Sequence, residues 1–292
     1  MKFTSATTLL LLALAPLSSA AVYTWTGANS GDWNDSGNWD ANGVPVDTDG
    51  GTAALDLDST NDRLVFNAIG SSNPVPTSNI PLLGGDAFAR ATQNTPEFDL
   101  LHGDLSFVLQ GFQNGVVGDS GWNNTIGDDN VGNGTASLTY TSSFNAGLIR
   151  DPGGQHTWNV YSDGSLIFNG TNTAMVFSYG TDRFAAINIH GGTVTVQAQL
   201  DMLRSNTALG PSYFDLTVAG ASVTAEFGTD FALLTDVQSA TGDGLTFRSS
   251  TALGLSAVDN MDGTFTVTAI PEPSVGILSA GAALLLLRRR RK

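Results

Sequence analysis

The sequence lacks cysteine altogether, and lysine occurs only at residue 2 and at the last position. Without cysteine, the chain has neither disulfide bonds nor a thiol nucleophile. Residues 21–270 contain six arginines against 26 acidic residues, which gives this part of the chain a net charge of −20. A surface of that charge repels nucleic acid and anionic lipid, so we expect neither as a partner.

Recognised catalytic motifs are missing as well. The three histidines, His102, His156 and His190, do not have the spacing of a zinc-binding motif. The sequence contains no Gly-x-Ser-x-Gly turn and no phosphate-binding loop. We therefore predict no catalytic residues and no metal-binding residues, and we expect that the protein is not an enzyme.

Acidic residues that are close together in the sequence are the remaining candidates for chemistry. A glycosidase needs two carboxyl groups, one as the acid and one as the base or nucleophile. Because residues 21–270 contain 26 acidic residues, neighbouring carboxylates arise by chance, and solvated turns are their expected location. The two candidate groups are Glu97 and Asp99 with His102 and Asp104, and the pair Glu226 and Asp230.

Calcium is the one cofactor that the loops suggest, because carboxylates at alternate positions supply the hard oxygen ligands that this ion prefers. The segments with this pattern are residues 47–50 (Asp-Thr-Asp-Gly), 56–58 (Asp-Leu-Asp) and 127–134 (Gly-Asp-Asp-Asn-Val-Gly-Asn-Gly). No closing glutamate completes an EF-hand pattern after residue 47. Asp and Asn also form turns by bonding to the local backbone, and this is their expected role here.

The body of the chain, residues 21–269, reads as β-structure. Short runs of alternating apolar and polar residues are separated by Gly, Asn and Asp, and no sustained 3.6-residue period occurs. Residues 198–208 are the only moderately helical stretch. The composition predicts a chain that can bury a core, since 41% of its residues are hydrophobic.

A loose repeat favours one β-architecture. Similar strand–glycine–strand segments begin at Gly164, Ile187 and Phe214, at offsets of a little over twenty residues. Offsets of this size are typical of the rungs of a solenoid. We predict a right-handed parallel β-helix, with an antiparallel β-sandwich as the alternative.

Three tryptophans lie within fifteen residues near the start of the body. Trp25, Trp33 and Trp39 occur in the pattern Trp-Thr-Gly…Trp…Asn-Trp. This pattern resembles the opening of autotransporter passenger-like and surface β-helix proteins. The resemblance implies that the tryptophans form or cap the first rung. Alternatively, exposed indole rings at these positions, or at Trp122 and Trp158, could stack on sugar rings.

The first twenty residues have the features of a secretory signal peptide. Lys2 gives a positive start, residues 9–15 are apolar, and small residues precede a cleavage position after Ala20. We therefore expect removal of residues 1–20 by signal peptidase.

Residues 270–292 combine three features in a fixed order. Pro271, Glu272 and Pro273 are followed by an apolar stretch, residues 275–287, for which we predict a short transmembrane helix. Thirteen helical residues span about 20 Å, less than a ~30 Å hydrocarbon core. The positive-inside rule places the basic tail in the cytoplasm and the body outside. The tail consists of Arg288, Arg289, Arg290, Arg291 and Lys292.

This C-terminal arrangement resembles the PEP-CTERM sorting signal of Gram-negative bacteria. The resemblance implies that an exosortase, a membrane protease, cuts near the Pro-Glu-Pro motif. The protein would then be anchored in the inner membrane only transiently and reach the cell surface or the extracellular matrix. A permanent anchor is the alternative.

Taken together, the sequence predicts an exported, non-enzymatic surface or matrix protein of structural or adhesive type. A module that binds the extracellular polysaccharide is the alternative. A polysaccharide-degrading β-helix enzyme is the third hypothesis.

Overall fold

The computed structural model describes the greater part of the body. The described residues are 22–40, 43–45, 54–55, 63–83, 97–109, 115–117, 122–130, 133–142, 146–150, 155–170, 174–177, 184–201, 212–228, 230–242 and 246–271. The predicted signal peptide, the predicted membrane segment 275–287 and the basic tail lie outside them. No helix in the described part of the chain is long and apolar enough to cross a membrane.

Strands dominate the described residues, which confirms the prediction of an all-β body. The first ten strands are β1 (Val22–Trp25), β2 (Ala54–Leu55), β3 (Arg63–Phe66), β4 (Leu82–Leu83), β5 (Glu97–Leu100), β6 (Gly103–Leu109), β7 (Gly115–Val117), β8 (Trp122–Ile126), β9 (Ala136–Ser142) and β10 (Ala146–Arg150). The next ten are β11 (Gln155–Tyr161), β12 (Gly164–Gly170), β13 (Ala174–Phe177), β14 (Phe184–His190), β15 (Thr193–Asp201), β16 (Tyr213–Leu216), β17 (Ser222–Glu226), β18 (Phe247–Arg248), β19 (Gly254–Asp259) and β20 (Thr264–Ile270). One α-helix, α1 (Leu234–Ser239), and a 3₁₀ turn, Ser36–Asn38, complete the elements.

The strands form two large sheets between which the chain alternates. The smaller sheet has eight strands in the order β1-β3-β5-β8-β11-β14-β16-β18. The larger sheet follows the order β19-β20-β17-β15-β12-β9-β6-β4-β2, and β7, β10 and β13 branch from it at β15. Every named strand pair of the described residues is parallel except β17–β20 and β19–β20. This pairing differs from that of the antiparallel sandwich considered as the alternative.

The spacing between paired strands corrects the predicted repeat. Ile167 pairs with Thr195, 28 residues later, and Ile187 pairs with Phe214, 27 residues later. The segment that begins at Gly164 is β12 of the larger sheet, whereas the one that begins at Ile187 starts in β14 of the smaller sheet and continues into β15 of the larger one. The predicted step from Gly164 to Ile187 is therefore wrong, because it matched strands of different sheets, whereas the step from Ile187 to Phe214 joins register partners of the smaller sheet. Apolar–polar alternation is the same in both sheets and cannot distinguish them.

The core lies between the inward faces of the two sheets. In β9 and β12 every second side chain is buried, and the register places like residues side by side. Phe107, Tyr140 and Phe168 form a stack in the larger sheet, with ring centroids 6.3 and 5.8 Å apart. Each such ring stabilises the fold by about 1.5–3 kcal/mol through removal of apolar surface from water.

A different arrangement closes the C-terminal end of the sheets. Strand β20 pairs antiparallel with β17 and with β19, so that the parallel series stops there. Phe231, Phe247 and Phe265 meet beneath it, with centroid distances of 5.6 to 6.0 Å. These rings are buried, and they fill the last part of the core.

We expect removal of one buried hydroxyl group to stabilise the protein. The Tyr140 hydroxyl is buried and has no hydrogen-bond partner among the described residues. Burial raises the pKa of Tyr140 well above its usual value, so the group stays protonated. Tyr140→Phe should increase the free energy of unfolding by about 1–3 kcal/mol in urea titrations. The control Phe168→Tyr adds a hydroxyl to the next ring of the stack and should lower it.

The strand register can be tested directly, because the protein has no cysteine of its own. Ser137 and Ser165 are register partners on the outward side of β9 and β12, about 4.8 Å apart. This spacing lies within the range for disulfides, about 4.4–6.8 Å between Cα atoms. Ser137→Cys with Ser165→Cys should form an intramolecular disulfide on mild oxidation. Ser137→Cys with Asn169→Cys, displaced along the strand by about 13 Å, should not, and equal yields for both pairs would contradict the register.

Candidate functional site

The three predicted tryptophans form one buried cluster. Trp25 ends β1, while Trp33 and Trp39 belong to the loop that follows. Their exposed fractions are 0%, 2% and 5%. Trp39 contacts Trp25 and Trp33 edge to face, with centroids 5.2 and 4.8 Å apart. Trp33 also lies 6.2 Å from both Phe66 and Phe107, which joins the cluster to the cores of the two sheets.

A buried asparagine organises the loop that carries Trp33 and Trp39. The side-chain oxygen of Asn38 accepts hydrogen bonds from the backbone N–H groups of Asn29 and Ser30, at 2.8 and 2.9 Å. Its side-chain nitrogen donates to the Ser30 hydroxyl and to the backbone oxygen of Asp32, at 2.9 and 3.0 Å. Asn38 therefore replaces the backbone pairing that an irregular loop lacks.

The turn before Trp39 is capped by a carboxylate. Asp35 precedes the 3₁₀ turn Ser36–Asn38 and accepts a hydrogen bond from the backbone N–H of Gly37 at 3.0 Å. The hydroxyl of Ser30 donates to the same carboxylate at 3.0 Å. The Gly37 bond, followed by the Ser30 bond, lowers the pKa of Asp35 below its usual value.

Glycine is required at one position of the predicted Trp-Thr-Gly motif. Gly27 has a φ of +57°, and a Cβ atom there would lie 2.0 Å from the backbone oxygen of Asn73. That same oxygen accepts the indole hydrogen bond of Trp25 at 2.9 Å. The glycine thus permits the close approach that satisfies the buried indole N–H.

The burial of the tryptophans bears on the two roles considered for them, which are capping the first rung and stacking on sugar rings. A ring that stacks on a sugar must present a face to solvent, and Trp25, Trp33 and Trp39 have none. Trp158 is also fully buried. The side chain of Trp122 lies outside the described residues.

The fold places Asp99 and Asp104 in different sheets. Asp99 faces outward from the smaller sheet and is held by Arg63, whose Nε and Nη2 donate to its two carboxylate oxygens at 2.5 and 2.7 Å. Asp104 belongs to β6 in the larger sheet, and its side chain is exposed. The Nδ1 atom of His102 is buried. The side chain of Glu97 lies outside the described residues, so no acid–base pair is assembled in the part that is described.

The second pair of carboxylates lies near the C-terminal end. Glu226 is the last residue of β17, is exposed, and faces its register partner Thr264. Asp230 follows in the connection to α1.

The loops considered for calcium form turns where they are described. Residues 47–50 and 56–58 lie outside the described residues. In the third loop, the backbone N–H groups of Asp128 and Asp129 donate hydrogen bonds to Asp163, which lies in the turn between β11 and β12, at 3.0 and 3.3 Å. Within the described ranges, no three His, Asp or Glu side chains come together in a way that could hold a metal ion.

The outward face of the larger sheet carries two columns of hydroxyl groups, which we call the hydroxyl face. Its residues are in register across β9, β12, β15, β17 and β20. All but one are serine or threonine, and the exception, Ile167, lies in the second column. The first column is Ser137, Ser165, Thr193, Ser222 and Thr268, and the second is Thr139, Ile167, Thr195, Thr224 and Thr266.

The smaller sheet presents different chemistry to solvent. The side-chain nitrogen of Asn159 donates to the side-chain oxygen of Asn123, and that of Asn188 donates to Asn159 at 3.1 Å. Arg248 lies over the ring of Tyr213, with its Cζ 3.3 Å from the centroid, and pairs with Asp215 at 3.6 Å. This face therefore combines an amide ladder with charged pairs.

The chain matches no protein-family model, and no curated protein and no solved structure shows significant similarity to it. Alternating Ser and Thr in strands such as β9 and β20 is the sequence signal for the hydroxyl face. Alternation does not tell which strands are neighbours, so the face becomes visible only in the sheet.

The role of Asn38 yields a test of the tryptophan loop. Asn38→Ala leaves two backbone N–H groups without their acceptor, which should lower the free energy of unfolding by about 2–4 kcal/mol. The near-ultraviolet circular dichroism of the tryptophans should weaken as well. Asn34→Ala, at an exposed position of the same loop, is the control and should change neither quantity. An unchanged unfolding curve for Asn38→Ala would contradict the proposed role.

Proposed function

We propose that this protein is an exported, non-enzymatic component of the cell surface or extracellular matrix, of structural or adhesive type. Its body is a right-handed parallel β-helix. An exosortase processes its C-terminal sorting signal after transient anchoring in the inner membrane.

Register and connectivity support the β-helix. The chain alternates between two sheets and pairs in parallel with the strand about 26 to 41 residues away, for example Thr24 with Val65 and Asp99 with Thr125. The branch of β7, β10 and β13 adds a short third face. Right-handedness follows the general rule for crossovers between parallel strands of one sheet.

Both ends of the described body support a solenoid that is closed at its termini. Strand β1 is the edge of the smaller sheet, and the tryptophan cluster packs beside it. Solenoids need such covered ends to stay soluble. At the opposite end, the antiparallel pair β19–β20 and the buried rings of Phe231 and Phe265 supply the cover.

The position of Pro271 is the observation that carries the sorting proposal. Strand β20 ends at Ile270, and Pro271, the first residue of the Pro-Glu-Pro motif, follows at once and is exposed. A protease can reach a motif that begins outside the last strand without unfolding the body. The order of motif, apolar stretch and arginines in the sequence supplies the rest of the argument.

The engaged carboxylates support a non-catalytic role. Both carboxylate oxygens of Asp99 accept hydrogen bonds from Arg63, so this carboxylate is already engaged within the smaller sheet. Asp128 accepts a hydrogen bond from the backbone N–H of Asn130 in its own turn, and Asp163 accepts one from the backbone N–H of Asp128 in a neighbouring turn.

Replacement of the sorting motif should block processing of the full chain. In a Gram-negative host that carries an exosortase, the parent protein should lose the C-terminal tail and leave the membrane fraction. Pro271→Ala, Glu272→Ala and Pro273→Ala together should leave the tail attached and the protein in the inner membrane. Intact-mass measurement and cell fractionation give the readout.

Ser274→Ala, just beyond the motif, is the matched control and should be processed like the parent. Normal release of the triple variant would overturn the sorting proposal. A parent protein that keeps its tail in this host, while a known exosortase substrate is cut, would do the same.

A further inference from the structure

The hydroxyl face is a regular surface of nearly one chemistry. Its five strands lie about 4.8 Å apart, so each column is about 19 Å long, and the two columns are separated by about 6.6 Å. No residue of either column is charged, and the nearest acidic residue on the first column's line is Asp104 in β6. Thr193 is exposed, and Thr139, Thr195 and Thr224 are half-buried.

Two pairs of the hydroxyl groups are in hydrogen-bond contact with each other. The Oγ1 atoms of Thr224 and Thr266 lie 2.9 Å apart, and Thr193 donates to the hydroxyl oxygen of Ser165 at 3.2 Å. A hydroxyl group has one donor and two acceptor positions. Such contacts use only part of this capacity, so the columns present aligned donors and acceptors to a ligand.

The charge of the protein restricts what can bind there. The body has a net charge of −20, which repels polyanions. Exposed Glu226, two residues after Thr224 in β17, and exposed Asp104, beside Ser137, border the face. A cationic partner would be drawn to these borders and gains little from the uncharged hydroxyl groups between them. A neutral, hydroxyl-rich polymer meets neither obstacle, and Ile167 offers an apolar contact for the C–H groups of its rings.

We propose that the hydroxyl face binds a neutral, extended polysaccharide that lies along the columns, with ring hydroxyls paired to Ser and Thr. The proposal rests on the proposed surface location, since it assigns the adhesive contact of that location to a particular face. Repetition along the columns matches repetition along the polymer, so several weak hydrogen bonds act together.

Isosteric removal of hydroxyl groups tests the proposal. In Thr139→Val, Thr195→Val and Thr224→Val together, each side chain keeps its β-branched shape, which strands favour. Affinity gel electrophoresis of the full chain in mild detergent would use three purified neutral polymers, a β-1,4-glucan, a mannan and a dextran. We expect the parent to be retarded by at least one, and the dissociation constant of the triple variant to rise about tenfold or more.

The matched control makes the same change on the other sheet, as Thr24→Val, Thr125→Val and Thr157→Val. It should bind like the parent, and both variants should unfold cooperatively and keep the near-ultraviolet circular dichroism of the parent. The proposal would be overturned if both variants lost polymer binding equally or if the first variant bound as well as the parent. It would also be overturned if only an anionic alginate retarded the parent. Self-association of the parent that the first variant abolishes, without polymer binding, would assign the face to a second copy instead.

The sorting proposal and the polysaccharide-binding proposal are tested by different measurements, so either one can be rejected without the other. Processing of the tail is read by mass and fractionation, and polymer binding is read by retardation of the purified chain. A protein that is sorted normally but binds no neutral polymer removes only the assignment of the hydroxyl face.

Discussion

In-register pairing between strands that lie far apart in the sequence is the constraint on which the rest of the structure depends. A strand such as β12 buries Leu166 and Phe168 only because β9 and β15 place Leu138, Tyr140, Val194 and Val196 beside them. No strand has an apolar face large enough to be stable alone. Each turn of the chain therefore depends on its neighbours, and the parallel register fixes both the core and the outward faces at once.

The same constraint creates a problem at both ends, where a strand has a neighbour on one side only. Unpaired strand edges invite association with other chains. At the N-terminal end, the loop carrying Trp33 and Trp39 packs large rings onto Phe66, and Asn38 supplies the hydrogen bonds that this irregular loop needs. At the other end, reversal of strand direction in β20 ends the parallel series. The strand edges are thus covered by an aromatic loop at one end and by an antiparallel strand pair at the other.

The local sequence pattern predicts the strands of this structure but does not predict contacts between residues that lie far apart in the sequence. Alternation in segments such as Arg63–Phe66 predicts strands, because period two is a property of the strand itself. It does not reveal the pairing of Arg63 with Asp99, 36 residues away. It also leaves open whether Trp33 is exposed or buried, since this depends on Phe107 in a distant strand. The helical reading of residues 198–208 fails for its first part, which belongs to β15, because pairing with β13 overrides local preference.

The division between inward and outward residues also explains why a function on such a fold leaves no motif. Every second residue of a strand is committed to the core, and the others are free to vary without cost to packing. In this protein the free positions of one sheet carry amides and charged pairs, and those of the other carry hydroxyl groups. The hydroxyl face draws its ten residues from positions 137 to 268. For a surface spread so evenly, alternating Ser and Thr is the one local signal, and only the register that builds the core brings its residues together.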